Sequence, residues 1–126
     1  MRDGRELLQG AIGLHVHSNP DLVIRPQEEY DLVVAAREAG YRGVLLKNAA
    51  HFNIGSISIL RRLFPDLEIH SGLVLNHWVG GLNPSAVEAA VTLGARVTLP
   101  AQRAGLRQPS LKRAPADWLP ALRCGV

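Results

Sequence analysis

The chain has 126 residues, 47% of them hydrophobic, which is enough for one domain with a buried core and too few for two ordinary domains. No apolar run reaches the ~18 residues of a membrane span, and no signal-peptide pattern follows the charged N-terminus, so we expect a cytoplasmic protein without membrane contact. The single cysteine, Cys124, excludes an intramolecular disulfide and a cysteine-cluster zinc site.

The net charge of +3 comes from the C-terminal segment. Residues 1–100 carry nine basic and ten acidic side chains, whereas residues 101–126 carry five basic side chains and one acidic side chain. This basic tail lacks the interleaved aromatic residues on which nucleic-acid bases stack. We therefore predict no specific nucleic-acid partner.

Short strand and helix patterns alternate along the first hundred residues. Helix signals come from Pro26 with acidic residues after it, from Ser56 as a possible N-cap, and from Asn83 followed by Pro84. Gly40 and Gly94 suit the positions just past two of the helix ends. The predicted elements, in chain order, are a strand at 11–18, a helix starting at 26, a strand at 43–47, a helix at 57–64, a strand at 67–76, a helix at 84–93 and a strand at 95–100.

The predicted strands recur every ~25–32 residues, which is typical of successive β-α units in a parallel sheet. The order β-α-β-α-β-α-β predicts an α/β fold. Ligands of such folds bind at the carboxyl ends of the strands. The polar residues that this topology brings to that edge are His15, His17, Asp21, Lys47, Asn48, Asn76 and His77, with His51 in the loop after the second strand. His70 comes early in the third strand and is predicted to lie away from this edge.

The most informative motif is the pair His15 and His17 at the end of the first strand. Side chains alternate between the two faces of a strand, so both imidazoles project from one face while Leu14 and Val16 fill the other. Two neutral imidazoles at a strand end suit a divalent metal ion. The alternative interpretation is an edge strand that carries two partly exposed histidines.

Residues 101–126 show no clear strand or amphipathic helix and contain three prolines. We expect residues 1–100 to form the domain and residues 101–126 to be an irregular or disordered basic tail, rich in Pro, Arg and Ala. A second interpretation is that the original reading frame ends near residue 100 and that the tail is translated out of frame.

Three sequence segments carry a resemblance to a known family: Leu-His-Val-His at 14–17, Gly-Val-Leu-Leu-Lys-Asn at 43–48 and Val-Gly-Gly-Leu-Asn-Pro at 79–84. Over residues 7–100 the chain resembles a functionally uncharacterised bacterial and archaeal family related to the amidohydrolases. The resemblance implies the N-terminal half of a (β/α)₈ TIM barrel. It also implies a hydrolase that acts on a small substrate through water activated by a divalent ion, zinc or manganese.

The candidate residues at the strand ends take roles from this resemblance and from their chemistry. Asp21 and Lys47 are candidate catalytic residues, with a solvated turn carboxylate and a solvent-directed lysine as the alternatives. The candidate metal ligands are His15, His17, His51 and His77, and the candidate substrate-binding residues are Arg25, Asn48 and Asn76.

The chain departs from the family pattern at several positions. Gly13 stands where an aspartate is usual, and Ala49 stands where a histidine is usual, with His51 two residues further on. Half a barrel also leaves two sheet edges and an inner face open, so we expect a homo-oligomer or a partner chain. The alternative function is therefore a catalytically inactive, truncated half-barrel, or a fragment that acts only by assembly or binding.

Overall fold

The computed structural model describes residues 4–100, so the predicted tail 101–126 lies outside the described residues. Four strands alternate with three helices, as the sequence predicts. The elements are β1 (Ile12–His17), α1 (Glu29–Glu38), β2 (Gly43–Lys47), α2 (Ile54–Leu63), β3 (Glu68–Val74), α3 (Pro84–Thr92) and β4 (Val97–Leu99), with short 3₁₀ helices at Gly4–Leu8 and His77–Val79.

The strands form one sheet in the order β1-β2-β3-β4, and every neighbouring pair is parallel. The sheet curls into half of a TIM-like barrel, which confirms the predicted α/β class. Each strand pairs with the next in sequence, so all four carboxyl ends meet at one edge. His17, Lys47 and Val74 are the last residues of β1, β2 and β3 at that edge.

The core lies between the sheet and the helices, in two clusters. Val44 and Leu46 of β2 and Ile69 of β3 pack with Val33 of α1 and Ile57 of α2. The second cluster joins the end of β3 to α3. Alternation along each strand directs one set of side chains into these clusters and the other set to the concave face of the sheet.

Two helices begin at other residues than the sequence predicts. α1 begins at Glu29, three residues after Pro26, because Asn19 and Glu28 form an isolated bridge that holds the preceding segment extended. α2 begins at Ile54, with Asn53 in the position before it, and not after Ser56. The start of α3 is confirmed, since the side chain of Asn83 accepts hydrogen bonds from the backbone of the first turn.

Strand β1 contains an irregularity that alternation alone does not predict. Its register with β2 shifts between Gly13 and Val16, which fits one extra residue in β1 at this point. Val16 packs against the core, as expected, but Leu14 is 69% exposed and lies outside it. The prediction that Leu14 and Val16 share a buried face is therefore wrong for Leu14.

None of the helices in residues 4–100 has the length and hydrophobicity of a membrane-spanning segment.

Candidate functional site

The two histidines of β1 lie side by side at the carboxyl edge of the sheet. The Nε2 atoms of His15 and His17 are 3.3 Å apart, and the two ring centroids are 5.2 Å apart. His15 is exposed and His17 is half-buried, so one imidazole is open to solvent and the other is anchored against the sheet. The two Nε2 atoms are therefore close enough to share a proton or an ion.

The donor set and its spacing fit a divalent ion. Zinc binds imidazole nitrogen at ~2.0–2.1 Å, so two such ligands at a tetrahedral angle have their nitrogens about 3.3–3.4 Å apart. The separation in the structure, 3.3 Å, falls in that range. The same distance also suits a hydrogen bond between the rings when one Nε2 carries a proton. The separation of the two Nε2 atoms is therefore compatible with a shared metal ion and with a shared proton.

Lys47 is the register partner of His17 across the β1–β2 pair. Its side chain is fully buried, with 0% exposure, which differs from the solvent-directed lysine that we considered from the sequence. Its Nζ atom has no hydrogen-bond partner among the described residues. Burying an amine that has no hydrogen-bond partner raises the free energy of the folded state. Lys47 therefore carries a desolvation penalty at this position.

Burial and positive charge both act on the titration of these groups. Burial lowers the pKa of Lys47 from its ordinary value. Burial is also the main cause that lowers the pKa of His17, and the charges of Arg25 and Lys47 lower it further. Asp21 acts in the opposite direction. His17 is therefore favoured in the neutral form that a metal ion requires.

Asp21 and Arg25 form an ion pair in the loop after β1. Nε and Nη2 of Arg25 each lie 2.8 Å from Oδ2 of Asp21, and Oδ1 of Asp21 accepts a hydrogen bond from the backbone of Leu22. The Asp21 side chain is 1% exposed. Asn19 closes the same loop by bonding both the N–H and the carbonyl of Arg25. Both carboxylate oxygens of Asp21 thus bind groups that fix the loop.

The two asparagines at the strand ends connect neighbouring loops. Asn48 donates from Nδ2 to the carbonyls of Ser18 and Pro20, which ties the end of β2 to the loop after β1. Asn76 donates from Nδ2 to the carbonyl of Ala49 at 2.9 Å. Both residues therefore position the loops around the histidine pair.

His51 and His77 do not join the histidine pair. Within residues 4–100, no three or more His, Cys, Asp or Glu side chains form a group that could hold a metal ion. His77 packs edge-on against Trp78, with ring centroids 4.1 Å apart, and Trp78 donates to the carbonyl of Ala49. His51 lies half-buried in the loop after β2. In the described part of the chain, His15 and His17 stand as a pair.

His70 lies away from the site, as predicted. It pairs in register with Leu45, two residues before the Lys47 level of the sheet, and its Nε2 is 3.6 Å from Glu68. It therefore serves as a control histidine on the same sheet.

Two features of the site were missed at the sequence level. Ser18 follows His17 directly, is fully buried, and its Oγ has no hydrogen-bond partner among the described residues. The second feature is a buried network on the helix side of the sheet, in which Asn53 donates to Glu29 and accepts from Ser71, each at 2.6 Å. Adjacency to His17 was an available signal for Ser18, whereas the network joins residues far apart in sequence.

Comparison with protein families gives a match over most of the chain. The family model DUF6282, described as a family of unknown function, matches residues 10–119, and the chain belongs to that family. The matched range extends past residue 100, where the motifs of the amidohydrolase-like resemblance end. No curated protein and no solved structure matches the chain.

Proposed function

We propose that the chain is a metal-dependent hydrolase of the amidohydrolase-like type that acts on a small substrate. The family to which the chain belongs has no known function, so the proposal is argued from the residues of the site. The observation that carries the proposal is the 3.3 Å separation of the Nε2 atoms of His15 and His17. The location of the pair at the carboxyl ends of parallel strands supports it, since barrel enzymes carry their sites there. Zinc and manganese are the proposed ions.

His15 and His17 would hold the ion through Nε2. A divalent ion in such a site supplies an activated water near neutral pH and polarises a carbonyl or phosphoryl oxygen. Catalytic zinc commonly takes three protein ligands and one open position. We propose that the third ligand comes from outside residues 4–100, either from the rest of this chain or from another chain at the open edge of the sheet.

The remaining residues of the site prepare it for substrate. Lys47 contributes a buried amine at the register position opposite His17. Asp21 holds Arg25 and thereby the loop after β1. Asn48 holds that same loop against the end of β2. We assign Asp21, Asn48 and Asn76 to positioning and Lys47 to contact with substrate.

The test is hydrolysis of a model carboxylic ester and a model phosphate ester by the full chain loaded with zinc or manganese. We expect turnover that a chelator removes and that added metal restores. His17→Ala should abolish it, whereas His70→Ala, which changes a histidine outside the site, should retain it. Equal turnover in the His17→Ala protein would contradict the proposal.

A second candidate function is assembly without catalysis. The observations that favour it are the edges of β1 and β4, which have no neighbouring strand within residues 4–100, together with the exposed Leu14 on β1. In this account the half-barrel pairs with a second copy or a partner chain, independently of metal. Sedimentation analysis with and without zinc separates the two functions, because a stable metal-independent assembly without esterase activity supports assembly alone.

A further inference from the structure

The buried polar atoms that have no partner are concentrated beside the histidine pair. Among the described residues there are four such side-chain atoms, and three of them belong to His17, Ser18 and Lys47. The fourth belongs to His70. Buried polar groups are normally hydrogen-bonded, so a group of three at adjacent positions calls for a specific explanation. The amine of Lys47 has the largest unmet requirement because it carries a charge when protonated.

Lys47 lies on the concave face of the sheet, the face opposite the helices. Its neighbours Val44 and Leu46 on β2 alternate toward the helix side and pack in the core there. On the neighbouring strand β3, the register partner of Lys47 is Gly72, which has no side chain. A Cβ atom on Gly72 would lie 3.4 Å from Cβ of Lys47. His17, its register partner, lies on the same face because Val16 before it packs into the core.

The two atoms on the concave face have one chemical property in common. Lys47 Nζ is a hydrogen-bond donor, and Nδ1 of His17 is a donor whenever Nε2 of the same ring acts as an acceptor or a ligand. Ser18, one residue after His17, alternates to the other face of the sheet. The nearest acidic side chain in the loop, Asp21, is already bound by Arg25 and by the backbone of Leu22. The site thus offers donors and a positive charge, and the carboxylate in the adjoining loop is already engaged. Such a set is complementary to the acceptor oxygens of an anion.

From this arrangement we propose that Lys47 binds an oxyanion of the substrate, a carboxylate or phosphate group. The inference rests on the proposed function and deepens it, because it names the substrate class of the same site. The inference also accounts for the full burial of the amine. The Lys47 amine has lost its water contacts on folding, and the bound anion would provide the hydrogen-bond acceptor that the described residues do not provide. The substrates are then small acids or phosphate esters.

The experiment measures anion binding by the full chain without metal. Inorganic phosphate and malonate are titrated separately by calorimetry into the wild-type protein, Lys47→Met, Ser18→Ala and Arg62→Met. Methionine preserves the length of the lysine side chain without its charge. Arg62→Met is the matched control, since it removes one positive charge from an exposed position on α2.

We expect the wild-type protein to bind at least one of the two anions. The anion that binds more tightly identifies the acidic group of the substrate as a phosphate or a carboxylate. Lys47→Met should weaken binding about tenfold or more, whereas Ser18→Ala and Arg62→Met should each weaken it by less than about twofold. No binding of either anion by the wild-type protein, or equal binding by wild type and Lys47→Met, would overturn the inference.

A second measurement covers the case in which Lys47→Met does not fold. Phosphate that binds only the folded state raises the Tm of the wild-type protein more than sodium chloride does at equal ionic strength. An equal Tm in the two salts would overturn the inference. Zinc content after dialysis against zinc, measured on separate samples of the same proteins, separates this inference from the proposed function. Loss of anion binding with zinc retained is the expected result for Lys47→Met, whereas a wild-type protein that takes up no zinc contradicts the proposed function.

Discussion

His17 and Lys47 are register partners across the parallel strands β1 and β2, so an imidazole and a fully buried amine stand side by side at the edge of the half-barrel. Neither the Nδ1 atom of His17 nor the Nζ atom of Lys47 has a hydrogen-bond partner among the described residues. A fold selected for stability alone would place an apolar residue at position 47. The proposed anion site gives this loss of stability a function, because a bound anion would be the partner of the amine.

Replacement of Lys47 by methionine should stabilise the protein. The variant fills the same space without burying an unpartnered charge, and we expect the free energy of unfolding to rise by about 2 kcal/mol. Urea denaturation measures it, with Arg62→Met as the control, which should change stability by less than about 0.5 kcal/mol. A destabilised Lys47→Met protein would mean that the amine has a structural partner in the folded chain.

The gap between the wild-type protein and Lys47→Met should depend on pH. Burial lowers the pKa of Lys47 in the folded state below its ordinary value of 10.5, so between these two pKa values the unfolded chain binds more protons. Wild-type stability contributed by this group therefore rises with pH across that window and is lowest below it. Urea curves at neutral pH and near pH 10 should show the two proteins converging at the higher pH. A constant gap would show that Lys47 titrates normally.

Removal of Asn53 should destabilise the helix side of the sheet. Its amide donates to the buried carboxylate of Glu29 and accepts from the hydroxyl of Ser71, so Asn53→Ala leaves both groups without these partners. We expect a loss of about 3 kcal/mol, because one of the stranded groups is a buried acid. Ser58→Ala, an exposed change on α2, is the control and should be nearly neutral. A double-mutant cycle with Ser71→Ala should show coupling, and additive losses would argue against the network.

Two glycine-to-alanine substitutions should change the free energy of unfolding in opposite directions. A Cβ on Gly43 would lie 2.7 Å from the backbone oxygen of Glu68 on β3, so Gly43→Ala must push two paired strands apart. We expect a loss of about 2 kcal/mol. Gly55, in α2, has nothing within 4 Å of the same position, and Gly55→Ala should gain about 0.5 kcal/mol. Thermal unfolding of both variants checks the pair, and a tolerated Gly43→Ala would contradict the close approach of β2 and β3.

The sequence predicts the elements best where a local signal is strong. β2 runs from Gly43 to Lys47 as predicted, because a continuous apolar run bounded by polar residues marks a strand covered on both faces. The Asn83-Pro84 signal places the start of α3 correctly. The start of α2 differs from the prediction because Ser56 and Asn53 are about equally good capping residues in the sequence. In the structure the side chain of Asn53 bonds Glu29 and Ser71 and makes no cap.

The site was predictable in its location and only partly in its interactions. Strand order alone brings His15, His17 and Lys47 to one edge. The pairing of Asp21 with Arg25 and the complete burial of Lys47 depend on loop conformation and on contacts across strands, which no periodicity encodes. For the same reason the sequence could not tell that His77 packs on Trp78 and does not join the histidine pair.

The central claim is that His15 and His17 together bind a divalent ion, and zinc content after equilibrium dialysis tests it most directly. The wild-type protein and His70→Ala should each retain about one zinc per chain, in line with the fit of a 3.3 Å nitrogen separation to one ion. The double variant His15→Ala with His17→Ala should retain none. A wild-type chain that retains no zinc, or a double variant that retains as much as the wild type, would contradict the account.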